Sequence, residues 1–291
     1  MPSLETALRS AAAELAAAGV PSPRVDAELL AAHLLGESVG RVKALAFTDA
    51  EAPDGYAELV AERARRIPLQ HLTGKAYFRR LELAVGPGVF VPRPETETVA
   101  QLAIDRALLV PAPARVADLG TGSGAIAGSI AAEVPGSQVY AVELSPLALA
   151  WARKNLEPLG VHVLEGDLRT ALAGEEGAFD VVASNPPYIP AGAVPNEPEA
   201  ADHDPAMALY GGGEDGMELP DAAARTSARL LRPGGYFVME HAEVQAGTIA
   251  ERLAADPVWQ EVCSHKDLNG RPRATSAVRS AAALPTPDVK E

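Results

Sequence analysis

Apolar residues in the first third of the chain recur at the spacing of amphipathic helices. Leu4, Leu8 and Leu15 fall on one face of a helix that Ser3 can cap. A second helix is predicted to begin at Pro23, since proline is favoured at the first helical position, and to end at Gly36, since glycine is favoured at a helix end. Two shorter helices are predicted over 39–47 and 56–67, and Pro68 ends the last one. Residues 1–73 are therefore predicted to form a small N-terminal helical bundle.

Beyond residue 74 the spacing changes from helical to alternating. Leu81, Leu83 and Val85 alternate with Glu82 and Ala84, as in a half-buried strand. A Gly-Pro-Gly turn at 86–88 then leads into a short apolar run at 89–91, which is predicted to be a second strand. We expect residues 74–93 to form a β-hairpin that links two domains.

From residue 94 onward, helix-like and strand-like segments alternate, which is typical of an α/β fold with a parallel sheet. The expected strands are 115–118, 138–143, 161–164, 179–184 and 236–240, and the expected helices are 94–109, 125–133, 147–156, 219–231 and 244–255. A long irregular segment, 186–216, and a turn at 232–235 interrupt the pattern. The second domain is expected to span 94–283, and 284–291 to be a disordered tail.

Composition narrows the classes of protein that fit. With 47% hydrophobic and 22% charged residues the chain has the balance of a globular protein, and its net charge of −14 argues against an extended duplex-binding face. Cys263, the single cysteine, rules out an internal disulfide and a Cys-rich zinc site. Scattered histidines predict no metal site. No apolar run is long enough to span a membrane, so the cytoplasm is the expected compartment.

A glycine-rich loop between a predicted strand and a predicted helix indicates a nucleoside site. Glycines at this corner allow a sharp turn and a close backbone approach to a ligand. Glu143 ends the next strand, where a carboxylate can accept both hydroxyls of a ribose. Asp167 could accept from an adenine amino group, and Leu168 could pack on the ring. A corner without ligand, a solvated acid and a surface turn are the alternatives. The loop residues in question are Asp118, Gly120, Thr121, Gly122, Ser123 and Gly124.

The most specific segment is Ser184-Asn185-Pro186-Pro187-Tyr188, directly after an apolar strand. Ligands in an open α/β sheet bind beyond the carboxyl ends of the strands, so this segment is expected at the mouth of the site. Asn185 offers a side-chain carbonyl, and Pro186 a backbone carbonyl that the proline rings hold in a narrow range of orientations. Two such acceptors can bind both hydrogens of a planar NH2 group and align its nitrogen with an electrophilic methyl group. Tyr188 adds a flat face for stacking.

These residues resemble the protein-(glutamine-N5) methyltransferase family, the release factor glutamine methyltransferases. The resemblance covers nearly the whole chain and rests on four segments, namely 68–74, 91–97, 118–125 and 185–188. The Asn-Pro-Pro-Tyr motif is shared with adenine-N6 DNA methyltransferases, whereas Pro-Arg-Pro-Glu-Thr-Glu, at 92–97, is far more specific. Glu143 stands where many members have Asp, and Leu168 where some have an aromatic residue.

The resemblance implies a Rossmann-like seven-stranded methyltransferase sheet, preceded by a helical bundle that helps to recognise the release factor. Its implied substrate is the glutamine of the Gly-Gly-Gln loop, and its cofactor S-adenosylmethionine, without a metal. By position, Gly120–Gly124, Glu143 and Asn185 would contact the cofactor, and Asn185, Pro186, Pro187 and Tyr188 would hold the glutamine. Phe90 and Thr96 would line the pocket. We expect a monomer without stable nucleic-acid or membrane binding.

Other interpretations remain open at this point. An adenine-N6 methyltransferase of nucleic acid would need a basic channel or a target-recognition domain, which the sequence does not show. A nucleotide-sensing module with a dead site would not need the intact tetrapeptide, and a dehydrogenase would need a proton relay. Arg63, Arg65 and Arg66, like Arg79 and Arg80, fit a solvated helix face better than a contact with RNA or an acidic partner. Cys263 is interpreted as a small core residue, and Glu240-His241 as a less favoured site candidate.

Overall fold

The computed structural model describes residues 2–48, 50–195 and 197–281. The expected disordered tail, 284–291, lies outside the described residues. The helices are α1 (Leu4–Ala17), α2 (Pro23–Leu35), α3 (Val39–Ala46), α4 (Tyr56–Ala64), α5 (Leu69–Thr73), α6 (Glu97–Leu108), α7 (Ala125–Glu133), α8 (Pro146–Leu156), α9 (Pro198–His203), α10 (Ala206–Leu209), α11 (Glu218–Leu230) and α12 (Ala246–Ala255). The strands are β1 (Lys75–Phe78), β2 (Leu81–Ala84), β3 (Arg115–Leu119), β4 (Gln138–Glu143), β5 (His162–Glu165), β6 (Phe179–Ser184), β7 (Leu231–Glu240), β8 (Trp259–Lys266) and β9 (Pro272–Arg279).

The chain divides into two compact units, and neither unit is continuous along the sequence. The helical unit comprises Met1–Lys75, Val85–Pro87 and Pro195–His203, and the sheet unit comprises Ala76–Ala84, Gly88–Val194 and Asp204–Glu291. The segment around α9 thus belongs to the helical unit, although it lies more than a hundred residues downstream of α5.

The helical unit follows the predicted apolar stripes. Leu4, Leu8 and Leu15 are fully buried in one core with residues of α2, α3 and α4. The Ser3 hydroxyl caps α1 by accepting the Thr6 N–H at 3.4 Å, as expected. Gly36 ends α2 with φ of +64°, a conformation that costs a glycine little.

Arg63 corrects the interpretation of the arginine cluster as a solvated helix face. Its side chain is only 6% exposed and forms ion pairs with Asp26 and Glu199, each at 2.8 Å. Arg66 binds the other Glu199 oxygen at 2.6 Å, whereas the exposed Arg65 pairs with Glu62. Burial opposes ionisation, but the hydrogen bonds from Arg66 and Arg63 lower the pKa of Glu199 to about 2. The cluster therefore bonds α9 to α2 and α4 within the helical unit.

The sheet unit contains a seven-stranded sheet in the order β5-β4-β3-β6-β7-β9-β8. The first five strands are parallel, and β9 runs antiparallel to its neighbours β7 and β8, so the expected α/β class is confirmed. Two hydrophobic clusters cover the sheet, one containing α11 and α12 residues and the other α6, α7 and α8 residues. Residues of β6 such as Val181 and Val182 are fully buried, as befits a central parallel strand.

The hairpin forms from a different pair of strands than the sequence predicts. β1 pairs with β2, and Arg79, at φ of +51°, lies in the turn. The backbone N–H of Arg79 donates to Glu97 at 2.9 Å, and its guanidinium pairs with Glu133. These long-range bonds fix a turn that lacks glycine. The predicted strand at 89–91 is wrong, since this segment is buried but is not part of a strand.

The end of the sheet also differs from expectation. The turn predicted at 232–235 is a bulge inside β7, because pairing with β6 jumps from Leu231 to Tyr236. Strands β8 and β9 were not predicted, and β8 is an edge strand with mostly exposed side chains. Cys263 lies on this strand and is exposed, which corrects its assignment to the core.

Replacing Arg63 by Ala should destabilise the helical unit by about 3–5 kcal/mol, because Asp26 loses its buried arginine partner and Glu199 loses one of its two arginine partners. Amide hydrogen exchange in α2 and α4 measures the effect, which should appear as faster exchange. Arg65→Ala is the matched control, and loss of its exposed pair with Glu62 should change the stability by less than about 1 kcal/mol. Equal exchange in both variants would contradict the structural role of Arg63.

Candidate active site

Three strand ends meet at one edge of the sheet. β3 lies between β4 and β6, so Leu119 pairs with Val142 on one side and with Ser184 on the other. The Ser184 hydroxyl donates to the Leu119 carbonyl at 2.7 Å and joins the ends of β3 and β6. This is the point at which strand order reverses, where an open α/β sheet forms a crevice. The glycine loop, Glu143 and Asn185 all follow these ends.

The glycine loop keeps its backbone open towards this edge. Gly120, Gly122 and Gly124 have φ values of +76°, +59° and +93°, which side chains rarely tolerate. A Cβ atom on Gly124 would lie 2.6 Å from Leu156 Cγ, so packing against α8 requires glycine there. A Cβ atom on Gly122 would meet nothing within 4 Å, so this position is left free for a ligand to approach.

The carboxylate of Asp118 fixes the glycine loop through two hydrogen bonds. Its Oδ2 accepts the Thr121 hydroxyl at 2.6 Å and the Ala127 N–H at 3.1 Å. The residue is 1% exposed, and burial raises the pKa of its carboxyl to about 6 despite these hydrogen bonds. Its other oxygen, Oδ1, is buried without a hydrogen-bond partner among the described residues. Ser123 is fixed through its carbonyl, which accepts from Asn155 of α8 at 2.9 Å.

Glu143 faces the glycine loop, as expected for a group at the end of β4. Its Oε2 accepts the Gly122 N–H and its Oε1 the Ser145 N–H, both at 2.8 Å. These hydrogen bonds fix both oxygens, and the remaining lone pairs can accept hydrogen bonds from further hydroxyl groups. Leu168 packs into the core beside the loop, 3.9 Å from the position of a Cβ atom on Gly120. Asp167 forms an ion pair with Arg169, so its contact with an adenine remains a prediction.

Asn185 and Tyr188 are anchored by residues from other elements. Asn185 Nδ2 donates to the Thr96 hydroxyl at 3.3 Å, and Thr96 is buried at the start of α6. The Tyr188 hydroxyl donates to Glu240 Oε1 at 3.3 Å, and its backbone carbonyl accepts from Gln245 at 2.9 Å. The tetrapeptide is therefore bonded on both sides.

Two glycines allow a close approach to the tetrapeptide backbone. A Cβ atom on Gly216 would lie 2.3 Å from the Tyr188 carbonyl oxygen, and one on Gly211 would lie 2.7 Å from the Pro187 carbonyl oxygen. Only glycine fits at these positions, which keeps the segment after β6 in one conformation. Phe90 is half-buried with the Arg93 guanidinium 5.1 Å from its ring centre, and its place in a substrate pocket remains a prediction.

Comparison with known proteins agrees with this arrangement. Residues 6–74 match the PrmC N-terminal domain and residues 81–197 the methyltransferase small domain. The release factor glutamine methyltransferase of Streptomyces coelicolor is 52% identical over 90% of this chain and 93% of its own length. That of Mycolicibacterium smegmatis is 48% identical over 97% of this chain and 99% of its own.

The chain belongs to the release factor glutamine methyltransferase family.

Similarity to a more distant structure supports the fold alone. The catalytic domain of hMettl16, solved with a 3′UTR hairpin, superposes with a TM-score of 0.55 at 17% identity and covers 79% of this chain and 84% of that one. The identity to the Streptomyces coelicolor and Mycolicibacterium smegmatis proteins confirms the family resemblance stated from the sequence. Among the described residues, no three metal-binding side chains cluster, and no helix combines the length and the apolar character that a bilayer span requires.

Glu240, which the sequence indicated only as a less favoured site candidate, lies in contact with the tetrapeptide. It ends β7, is 2% exposed and contacts Tyr188. Burial raises the pKa of its carboxyl to about 7, with Glu95 acting in the same direction and Thr96, Arg273 and Tyr188 against it. Its Oε2 is buried without a hydrogen-bond partner among the described residues. An acid at the end of an apolar strand was the only available signal. Its neighbour His241 instead bonds to Thr275 at 2.9 Å.

The raised pKa of Glu240 predicts a pH-dependent cost in stability. The carboxyl titrates near 4.5 in an unfolded chain and near 7 in the folded protein, so its favourable contribution is complete below pH 4.5 and is lost as the pH rises through 7. The loss should be on the order of 3 kcal/mol. In Glu240→Gln, which stays neutral, stability relative to the wild type should therefore increase between pH 5 and pH 8. Denaturant unfolding at both pH values measures this difference, and a constant difference would contradict the prediction.

Proposed function

We propose that this protein transfers a methyl group from S-adenosylmethionine to the side-chain amide nitrogen, N5, of the glutamine in the Gly-Gly-Gln loop of peptide chain release factors. The observation that supports this most strongly is the anchoring of Asn185 by Thr96, beside the glycine loop. Family membership supports the choice of substrate, because the relatives carry this activity in their names. The proposal also includes monomeric action in the cytoplasm.

The chemistry required is the activation of a poor nucleophile. An amide nitrogen is planar and its lone pair is delocalised, so it must be held in line with the methyl group. Asn185 Oδ1 and the Pro186 carbonyl are two acceptors that can bind the two hydrogens of a glutamine NH2 group. They would also stabilise the positive charge that develops on nitrogen. By analogy with an oxyanion-hole donor, one such preorganised group contributes about 2.7–4 kcal/mol, and alignment contributes about 7–11 kcal/mol.

The residues at the glycine loop fit S-adenosylmethionine. The open backbone at Gly122, the partnerless Oδ1 of Asp118 and the fixed carboxylate of Glu143 form a cradle with both space and acceptors. We assign ribose contacts to Glu143 and backbone contacts to Gly120–Gly124, with Thr121 and Ser123 in the same loop. Asp167 and Leu168 are assigned to the adenine. When bound, the cofactor supplies an electrophilic methyl group on a sulfonium, and no metal has a role in this proposal.

The division of labour follows from the two matched domain families. We propose that residues 1–73 help to recognise the release factor, that 74–93 link the domains and that 94–283 bind the cofactor and catalyse transfer. The matched ranges, 6–74 and 81–197, support this division.

Methyl transfer can be tested directly with labelled S-adenosylmethionine. Label is expected on a release factor, and neither on its Gly-Gly-Gln loop variant with Gln→Ala nor on duplex DNA. Asn185→Ala should lower kcat by at least about 100-fold, because one preorganised acceptor is lost, while cofactor affinity stays nearly unchanged. Label on DNA would favour an adenine methyltransferase. Equal label on the natural release factor and on its Gln→Ala variant would show that the acceptor is not this glutamine.

Glu143 offers a separate test of the cofactor site. Glu143→Ala should weaken S-adenosylmethionine binding about 10- to 100-fold, because charged hydrogen bonds to the ribose are lost. Titration calorimetry measures the affinity. Glu165 is a matched control, since it pairs with Glu143 in the sheet and is exposed at the end of β5. Glu165→Ala should bind like the wild type, and an equal loss in both variants would argue against the assignment of Glu143.

A further inference from the structure

Proline rings fix only part of the backbone at the tetrapeptide. They lock φ at Pro186 and Pro187, and Pro187 also keeps ψ of Pro186 in the extended region. The ψ angle of Pro187 has no such restriction, and neither proline has an N–H group with which to anchor the backbone. The direction in which the chain leaves the tetrapeptide, and with it the position of Tyr188, must therefore be fixed by contacts that follow Pro187.

Part of that anchoring comes from the chain itself, which folds back through a return segment, residues 209–216. The Ile189 N–H donates to the Leu209 carbonyl at 2.8 Å, and the Gly211 N–H donates to the Ile189 carbonyl at 3.0 Å. At the end of the return segment, Gly216 lies so close to Tyr188 that a Cβ atom there would lie 2.3 Å from the Tyr188 carbonyl oxygen. The return segment thus binds Ile189 and packs against Tyr188.

The side-chain amide of Gln245 joins the Tyr188 carbonyl to the return segment. Its Nε2 donates to the Tyr188 carbonyl at 2.9 Å and to the Asp215 carbonyl at 3.1 Å, and its Oε1 accepts the Ala242 N–H at 3.1 Å. Gln245 is buried, so water competes little for these hydrogen bonds. Both amide hydrogens are used, and a reversed amide would set its oxygen against two carbonyls. The three partners therefore fix the side chain in a single orientation.

We propose that Gln245 is a positioning residue for methyl transfer, which clamps the Tyr188 carbonyl to the return segment and so fixes the direction in which the backbone leaves Pro187. The clamp sets the place of the Tyr188 ring and removes the remaining freedom of the Pro186 carbonyl, the two groups that would hold the substrate glutamine. The inference rests on the proposed function, because this placement matters for catalysis only if the tetrapeptide binds a substrate NH2 group. Gln245 lies between β7 and α12, so the clamp ties the tetrapeptide to the strand beside β6.

Gln245→Met keeps the length of the side chain and removes its hydrogen bonds. We expect kcat to fall about 10- to 100-fold, because a small misplacement of a group that holds the substrate has a cost of that size. The affinity for S-adenosylmethionine, measured by titration calorimetry, should stay within about twofold of the wild type, which also shows that the variant is folded. Wild-type kcat in Gln245→Met would overturn the proposal. A loss of kcat with an equal loss of cofactor affinity would indicate general disruption and would overturn it as well.

Arg252→Met is the matched control for an effect on the return segment alone. Arg252 extends from α12, is 43% exposed and forms ion pairs with Asp215 and Asp221. Its replacement removes an anchor of the return segment but not the hydrogen bond to the Tyr188 carbonyl, so kcat should stay within about twofold of the wild type. Equal loss of kcat in Arg252→Met and Gln245→Met would place the effect in the return segment as a whole and would overturn the clamp.

Amide hydrogen exchange reports on the clamp without any turnover. The Ile189 and Gly211 N–H groups join the tetrapeptide exit to the return segment, and both should exchange at least about 10-fold faster in Gln245→Met, because this region then opens more often. In Arg252→Met both rates should stay within about threefold of the wild type. Wild-type exchange in Gln245→Met, or equal acceleration in both variants, would overturn the positioning role. If the wild-type protein places no label on a release factor, the proposed function fails, while the exchange rates still decide whether Gln245 clamps Tyr188.

Discussion

The pairing of β3 with two parallel neighbours is the constraint on which the site depends. Because β4 and β6 both run parallel to β3, all three strands end at the same edge. The residues that follow them, although far apart in the sequence, therefore lie side by side. Apolar residues buried on both faces of the sheet stabilise this pairing. The polar groups beyond the strand ends can then be specialised for binding, since the strands themselves supply the stability.

Much of this arrangement could be predicted because it depends on local chemistry. The bounds of α7, β4 and β6 agree with the expected ones, since each consists of an apolar run between turn residues. The glycine loop and Asn185 were placed correctly for the same reason: each follows such a run directly. Thr96, expected only from the family resemblance, bonds to Asn185.

The features that sequence did not predict depend on partners distant in the chain. Arg63 looks like any helix-face arginine until α9 brings Glu199 to it. The turn at Arg79 has no turn-forming residue and is fixed by Glu97 and Glu133. Edge strand β8 lacks the apolar alternation by which strands are recognised. The contact of Glu240 with the tetrapeptide becomes visible only when Tyr188 is placed beside it.

The ion pairs of Glu199 bear on how this protein can be dissected. The segment that leaves the tetrapeptide belongs to the helical unit at Pro195–His203 and then re-enters the sheet unit. A fragment that starts after α5 would retain Glu199 but contain neither Arg63 nor Arg66, which would leave a carboxylate with no cation in a segment that has also lost its packing surface. A cut between the two matched domains would thus separate Pro195–His203 from the ion pairs that hold this segment in the helical unit.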